Sequence, residues 1–148
     1  MKLSTRSRYG LRFLVALAAD KSGGPVYLGD LARQQDIPEK YLSKIVIPLK
    51  GAGLVSSTRG TRGGYVLARA PGQITVREVV ESLEGGINIV DCAKSEGLCE
   101  RAGECVTREI WHGMDKQIFD YLEGITLASI AEKYLERLSK KEPLTYQI

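Results

Sequence analysis

The chain has 148 residues and a hydrophobic fraction of 43%, which suits one globular domain, with or without an appended dimerisation element. No apolar run approaches the length of a membrane span and no signal peptide follows Met1, so we expect a cytoplasmic protein without a membrane partner. Residues 1–70 carry a net charge of +8 and residues 71–148 a net charge of −5. This asymmetry favours a polyanion as partner of the first half, although a merely solvated basic surface would leave the same pattern.

Helical periodicity predicts three helices in the first third of the chain. Ser4 can cap a helix that runs to about Asp20, and a short amphipathic helix follows at 28–35. Pro38 then opens a third helix, which should loosen near Pro48 because proline lacks the N–H that continues the pattern. Two short helices joined by a tight turn indicate a helix-turn-helix.

Strand signals follow the third helix. Residues 54–58 and 65–68 read as two strands, and the glycine-rich segment 59–64 between them suits the tip of a hairpin. Thr75 can then cap a helix that ends at the pair Gly85-Gly86.

The second half adds an aperiodic segment and two further helices. Residues 87–104 show no clean period, whereas helical patterns return at 105–122 and 126–138. These two helices carry more apolar surface than a small winged domain needs, so we expect a homodimer. The predicted fold class is mainly α: a winged helix-turn-helix with a long dimerisation helix and a cysteine-bearing loop. The expected domains are DNA-binding at 1–84, the cysteine loop at 85–104, and dimerisation helices with a C-terminal tail at 105–148.

The third helix is the candidate reading helix, since one helix fits the major groove and residues near its start reach base edges. Leu42, Ile45 and Leu49 share its apolar face and should hold it to its neighbours. For each polar candidate, a plain surface role stays as open as a base contact. The candidates for DNA contact on this helix are Glu39, Lys40, Tyr41, Ser43 and Lys44.

The glycine-rich hairpin tip carries Arg59 and Arg62. An exposed basic hairpin directly after a helix-turn-helix indicates a wing, which would insert arginine into the narrow, negatively charged minor groove. A plain exposed hairpin is the alternative.

All three cysteines lie close together: six residues separate Cys92 from Cys99, and five separate Cys99 from Cys105. An odd, clustered number without a secretion signal argues against a disulfide framework. The spacing is too open for a CxxC zinc knuckle. From the residues alone, an iron–sulfur cluster, a zinc ion and free redox thiols all remain open.

The sequence resembles the IscR family of bacterial winged-helix regulators, which also includes NsrR and CymR. The resemblance rests on MKLSTRSRYGLRFL, on IPEKYLSKIVIPLKGAGLVSSTRGTRGGYVLAR, and on the spaced cysteines followed by VTREIW. It implies a recognition helix at 39–50, a wing at 57–64, and a [2Fe–2S] cluster held by the three cysteines. It also implies DNA contacts at Tyr41, Ser43, Lys44 and Arg59. Since the best-known member has Glu and Gln where this chain has Ser43 and Lys44, a different operator sequence is expected.

The fourth cluster ligand departs from the family pattern. Arg108 stands where a histidine ligand is expected, and Arg8 stands where other members supply an acid from the partner subunit. Neither guanidinium can bind a cation. The remaining candidates, with a nearby carboxylate ahead, are Asp91, Glu100, Glu104, Glu109 and His112.

These expectations combine into a homodimeric transcriptional regulator whose binding to a double-stranded DNA operator is modulated by a [2Fe–2S] cluster, and which controls iron–sulfur cluster assembly genes. The alternatives are a thiol-only or zinc-binding redox regulator and a small iron–sulfur redox protein without operator specificity. No nucleophile–base pairing, phosphate loop or paired acidic site stands in the sequence, so no enzymatic activity is expected.

Overall fold

The computed structural model describes residues 2–141, apart from the side chain of Glu96. Most of this range is helical, as predicted, and the rest of the expected C-terminal tail lies outside the described residues. None of the described helices is long and apolar enough to cross a membrane. The elements are α1 (Thr5–Ala19), α2 (Leu28–Gln35), α3 (Glu39–Gly51), β1 (Val55–Thr58), β2 (Gly64–Leu67), α4 (Val76–Glu84), α5 (Asp91–Lys94), α6 (Val106–Glu123) and α7 (Leu127–Ser139), with single 3₁₀ turns at Pro71–Gln73 and Glu96–Leu98.

The start of α1 is held by Glu84, at the end of α4. Ser4 caps α1 as predicted, and its N–H and Oγ both donate to Glu84 Oε1, at 2.9 and 2.7 Å. Ser7 Oγ donates to the same oxygen. Partial burial works to raise the pKa of Glu84, but the hydrogen bonds from Ser7 and Ser4 outweigh it and hold this pKa below its ordinary value.

We expect Glu84→Gln to lower the free energy of unfolding by about 1–2 kcal/mol at pH 7, because charged acceptors make the stronger hydrogen bonds. A depressed folded-state pKa stabilises the fold above the ordinary carboxyl pKa, and this contribution is lost as the pH falls through the folded value. The gap between wild type and variant should therefore close below about pH 4 in denaturant titrations. Glu132→Gln, on the exposed face of α7, is the control; a gap that persists at low pH would contradict the assignment.

The helix-turn-helix is built from α2 and α3. α2 has its predicted bounds and ends at Asp36, whose φ of 51° gives the tight left-handed turn. On α3 the predicted packing residues Leu42, Ile45 and Leu49 are fully buried.

The prediction that α3 loosens near Pro48 is wrong: the helix continues through Pro48 to Gly51. Proline inside a helix costs one hydrogen bond, at about 3 kcal/mol. Burial of Val46 and Leu49 on either side offsets this cost.

The wing is the antiparallel pair β1–β2, in which Val55 faces Leu67 and Thr58 faces Gly64. A further bridge joins it to the segment before α2, because Val26 and Tyr65 exchange main-chain hydrogen bonds of 3.0 and 2.9 Å. Gly64 permits this approach: a Cβ there would lie 2.5 Å from the carbonyl oxygen of Val26.

The last helix belongs to the same core as the helix-turn-helix. α7 packs on α1, with Leu127 and Ala131 buried. The Leu127 N–H also donates to the carbonyl of Ile74, at 2.9 Å. The apolar face of α7 is thus partly covered within the chain, although Leu138 near its end is 40% exposed.

α6 has one covered and one uncovered face. Ile118, Phe119 and Leu122 pack beside Val76 and Val80 of α4. The opposite face carries apolar side chains that are largely exposed in the single chain, at helical spacing. This uncovered stripe consists of Val106 (77% exposed), Ile110 (57%), Met114 (44%) and Tyr121 (71%).

Candidate nucleic-acid interface and cysteine segment

The outer face of α3 presents the polar side chains that the sequence predicts for DNA contact. Lys40, Ser43 and Lys44 are exposed on consecutive turns. The Ser43 hydroxyl donates to the carbonyl of Lys40, at 2.8 Å, so its oxygen remains available as an acceptor. Tyr41 is partly exposed, and its ring meets that of Tyr9 edge-on, with the centroids 5.9 Å apart.

Sequence reasoning missed Ile47 on the same face. Its side chain is 69% exposed, although isoleucine usually belongs to a core. The spacing 40, 44, 47 would have placed it beside the lysines rather than beside Leu42 and Leu49. An exposed apolar side chain on a reading helix suits contact with a thymine methyl group.

Glu39 lies in a different place from the other candidates. It lines a hollow of about 460 Å³ between the start of α3 and the wing, together with Tyr27, Arg59 and Tyr65. Lys50 Nζ donates to Ser57 Oγ, at 2.7 Å, and ties the end of α3 to β1. The helix α3 and the wing therefore form one connected surface.

Arg59 and Arg62 are exposed at the wing tip, as expected for residues that reach a polyanion. We expect Arg59→Ala to weaken operator binding and to lower the salt slope of log K by about one unit, because one fewer counterion is released. Fluorescence anisotropy over a salt series measures both quantities. Arg33→Ala, on the exposed face of α2, is the control, and an Arg59→Ala variant with unchanged slope and affinity would remove the wing from the interface.

The three cysteines occupy different local structures. Cys92 lies in α5, Cys99 follows the second 3₁₀ turn, and Cys105 precedes α6; all are partly buried and free of disulfides. Across residues 2–141 the structure gathers no group of three or more His, Cys, Asp or Glu side chains placed to hold a metal ion. The donor chemistry suits a thiolate-held cluster, while the described conformation leaves the donors apart.

The thiol of Cys105 lies beside hydrogen-bond donors and a positive charge. Its Sγ lies 3.2 Å from Thr107 Oγ1. This hydrogen bond, the amide of Arg108 and the nearby guanidinium charge lower the pKa of the Cys105 thiol from its ordinary value. A larger thiolate fraction at neutral pH favours both metal binding and oxidation.

Two contacts tie the cysteine segment to α6. Arg108 Nε donates to the carbonyl of Cys92, at 3.2 Å, and so holds the main chain of the first cysteine. Asp115 is buried in the middle of α6 and accepts from the N–H of Ile89, at 2.9 Å.

The candidate fourth ligands fall into two groups. Glu104, Glu109 and His112 line a hollow of about 230 Å³ that also contains Cys105. Asp91 in α5 and Glu100 are exposed and do not line it. The first group is therefore better placed to complete a ligand set at Cys105.

Comparison with known proteins supports the predicted fold. The family model described as "Rrf2: Iron-dependent Transcriptional regulator" matches residues 3–133. The protein rrf2 of Nitratidesulfovibrio vulgaris is 42% identical over 130 residues, which cover 88% of this chain and 87% of that protein. The structure of CymR, described as the global cysteine regulator of B. subtilis, matches with a TM-score of 0.74 at 36% identity, over 90% of this chain and 98% of that one. The structure of T. potens IscR matches with a TM-score of 0.74 at 34% identity, over 93% and 90% of the two chains. These matches confirm the predicted winged-helix fold.

Proposed function

The chain belongs to the Rrf2 family of transcriptional regulators, and on that premise we propose that it is a homodimer whose binding to a DNA operator is modulated by a [2Fe–2S] cluster. Its relatives are transcriptional regulators and not enzymes. The observation that carries DNA binding is the joined surface of α3 and the wing, where Lys40, Lys44 and Arg59 are exposed together.

Within this proposal, side chains of α3 read base edges and the wing reaches the minor groove. Lys44 can donate to guanine, and Ile47 can contact thymine methyl groups. Glu39, between α3 and the wing, can accept from cytosine or orient Arg59. Arg62 and Lys40 supply charge for phosphates.

The proposed dimer uses the uncovered stripe of α6. A symmetric pair of such helices would bury Val106, Ile110 and Met114 against their copies, and would set two reading helices on two half-sites.

Cys92, Cys99 and Cys105 are the proposed protein ligands of the cluster, and one of Glu104, Glu109 and His112 completes the set. When bound, the cluster supplies a redox-active centre that is sensitive to its ligands and surroundings. Arg108 and Asp115 would fix both the segment and α6, so that ordering of the cysteines is transmitted to the dimer helix. Cluster-assembly genes are the proposed targets.

A second candidate function is a regulator that senses oxidants through its thiols alone. The lowered pKa of Cys105 favours it, because a thiolate is the form that oxidises, and no cluster is then required.

Anaerobic purification with visible absorption and iron analysis distinguishes the two candidates. We expect a coloured protein with two irons per chain in the cluster regulator, and loss of colour in each of Cys92→Ala, Cys99→Ala and Cys105→Ala, because each removes a ligand. Single substitutions of Asp91, Glu100, Glu104, Glu109 and His112 should then identify the fourth ligand by a shifted spectrum.

The matched control is Thr107→Val, which removes the hydroxyl beside Cys105 and keeps every proposed ligand. Colourless protein with intact thiols would favour the thiol regulator, and stoichiometric zinc would favour a zinc regulator. Equal affinity for every duplex would refute operator recognition itself.

A further inference from the structure

A groove of about 390 Å³ lies between α1 and α7, and none of its lining residues belongs to the cysteine segment of the same chain. Its apolar floor is formed by Leu11, Val15 and Ile130. Its volume lies in the range of sites that hold small organic molecules, which are typically apolar with a few polar groups at defined positions.

The rim of the groove is strongly basic. Arg8 and Arg12 stand one turn apart on α1, and Lys133 and Arg137 stand one turn apart on α7. The residues that line the groove include no Asp or Glu, and none of these four cations is ion-paired within residues 2–141. Like charges one helical turn apart repel each other. An anion bound between these cations would reduce their electrostatic repulsion.

The hydroxyl of Tyr134 adds a neutral hydrogen-bond donor to the lining of the groove. The buried side chain of Gln35 donates from its Nε2 to Tyr134 Oη, at 3.0 Å. Because Tyr134 accepts this bond, its own hydroxyl hydrogen is available to an acceptor in the groove.

We propose that this groove binds a small organic anion, a carboxylate or phosphate ester on an apolar body. The four cations and Tyr134 would bind the charged group, and the apolar body would lie on Leu11 and Ile130. A DNA phosphate would use the cations alone and leave the recessed apolar floor without a role, so the lining favours a small molecule over nucleic acid.

The groove is connected to the reading helix through stacked side chains. The Arg12 guanidinium lies over the ring of Tyr9, with Cζ 5.5 Å from its centroid, and Tyr9 meets Tyr41 of α3 edge-on. An anion that pairs with Arg12 competes for the cation above Tyr9. Occupancy should therefore change operator affinity, a consequence that rests on the proposed DNA-binding function.

Isothermal titration of the full chain with phenyl phosphate, benzoate, benzyl alcohol and inorganic phosphate tests the site. We expect saturable binding of phenyl phosphate or benzoate at one site per chain. Benzyl alcohol should bind at least about tenfold more weakly because it lacks the charge, and inorganic phosphate equally so because it lacks the apolar body. The double variant Lys133→Gln/Arg137→Gln should lose about tenfold in affinity, whereas Lys116→Gln, on α6, should lose nothing.

Several outcomes would overturn the site: no binding of either organic anion at about 10 mM, inorganic phosphate binding as tightly as phenyl phosphate, or unchanged binding by the double variant. A double variant that changes the sedimentation coefficient would instead assign the groove to a subunit contact. If the double variant loses operator affinity when no anion is present, the groove would instead be a DNA contact.

Operator anisotropy with and without phenyl phosphate tests the connection to Tyr41 separately. Unchanged operator affinity at saturation overturns that connection and leaves the binding site intact. A chain that binds the anion but no operator would refute the proposed function and not the site.

Discussion

Replacing Ile110 with glutamate is expected to split the protein into single chains and to weaken operator binding roughly 100-fold. Ile110 is 57% exposed in the single chain, so the substitution should cost the monomer almost nothing. In a symmetric dimer built on the stripe of α6, the variant would bury two carboxylates without partners. Sedimentation velocity measures the assembly, and anisotropy with a two-half-site duplex measures the binding.

Lys116→Gln is the matched control, because it makes the same change in net charge on another face of α6 and removes only an exposed ion pair with Asp120. It should leave both the assembly and the operator affinity unchanged. A dimer that survives Ile110→Glu would show that the stripe of α6 is not the subunit interface.

Gly64→Ala is expected to lower the free energy of unfolding by about 1–3 kcal/mol and operator affinity by at least about tenfold. The new Cβ would lie 2.5 Å from the carbonyl oxygen of Val26, and neither of the two main-chain segments can yield without breaking the bridge between Val26 and Tyr65. The wing would then lose its fixed position relative to α3, and Arg59 would no longer be positioned for contact with DNA. Thermal denaturation and operator anisotropy test the two effects.

Gly72→Ala controls for the loss of a glycine, because a Cβ at that position meets nothing within 4 Å. It should leave stability and affinity near the wild-type values. Wild-type affinity in Gly64→Ala would mean that the wing contributes nothing to operator binding.

Local patterns predicted the helix-turn-helix and the wing because their signals are local. The bounds of α2, the cap at Ser4 and the buried face of α3 each depend on residues within a turn or two of one another. The predicted loosening at Pro48 is wrong because the burial of Leu49 depends on distant elements that no short window contains.

The sequence predicted which residue types form the candidate site more completely than it predicted their positions in space. The apolar face of α7 is visible in the sequence, but the periodicity does not say whether α1 or a second subunit covers it. In the same way, the cysteine spacing gives the donors but not their separation in the described conformation. The contact of Arg108 with the carbonyl of Cys92 joins residues from different elements and has no sequence signature.

In the proposed function, one face of α3 stabilises the fold and the other face contacts DNA. Leu42, Ile45 and Leu49 are fully buried and anchor the helix, whereas Ser43, Lys44 and Ile47 are exposed. Substitutions on the outer face should therefore be almost free of stability cost, and on the proposed function they would change which bases are favoured. On the proposed function, a duplicated copy of this gene could diverge toward a new set of promoters in one or two mutational steps, without passing through an unfolded intermediate.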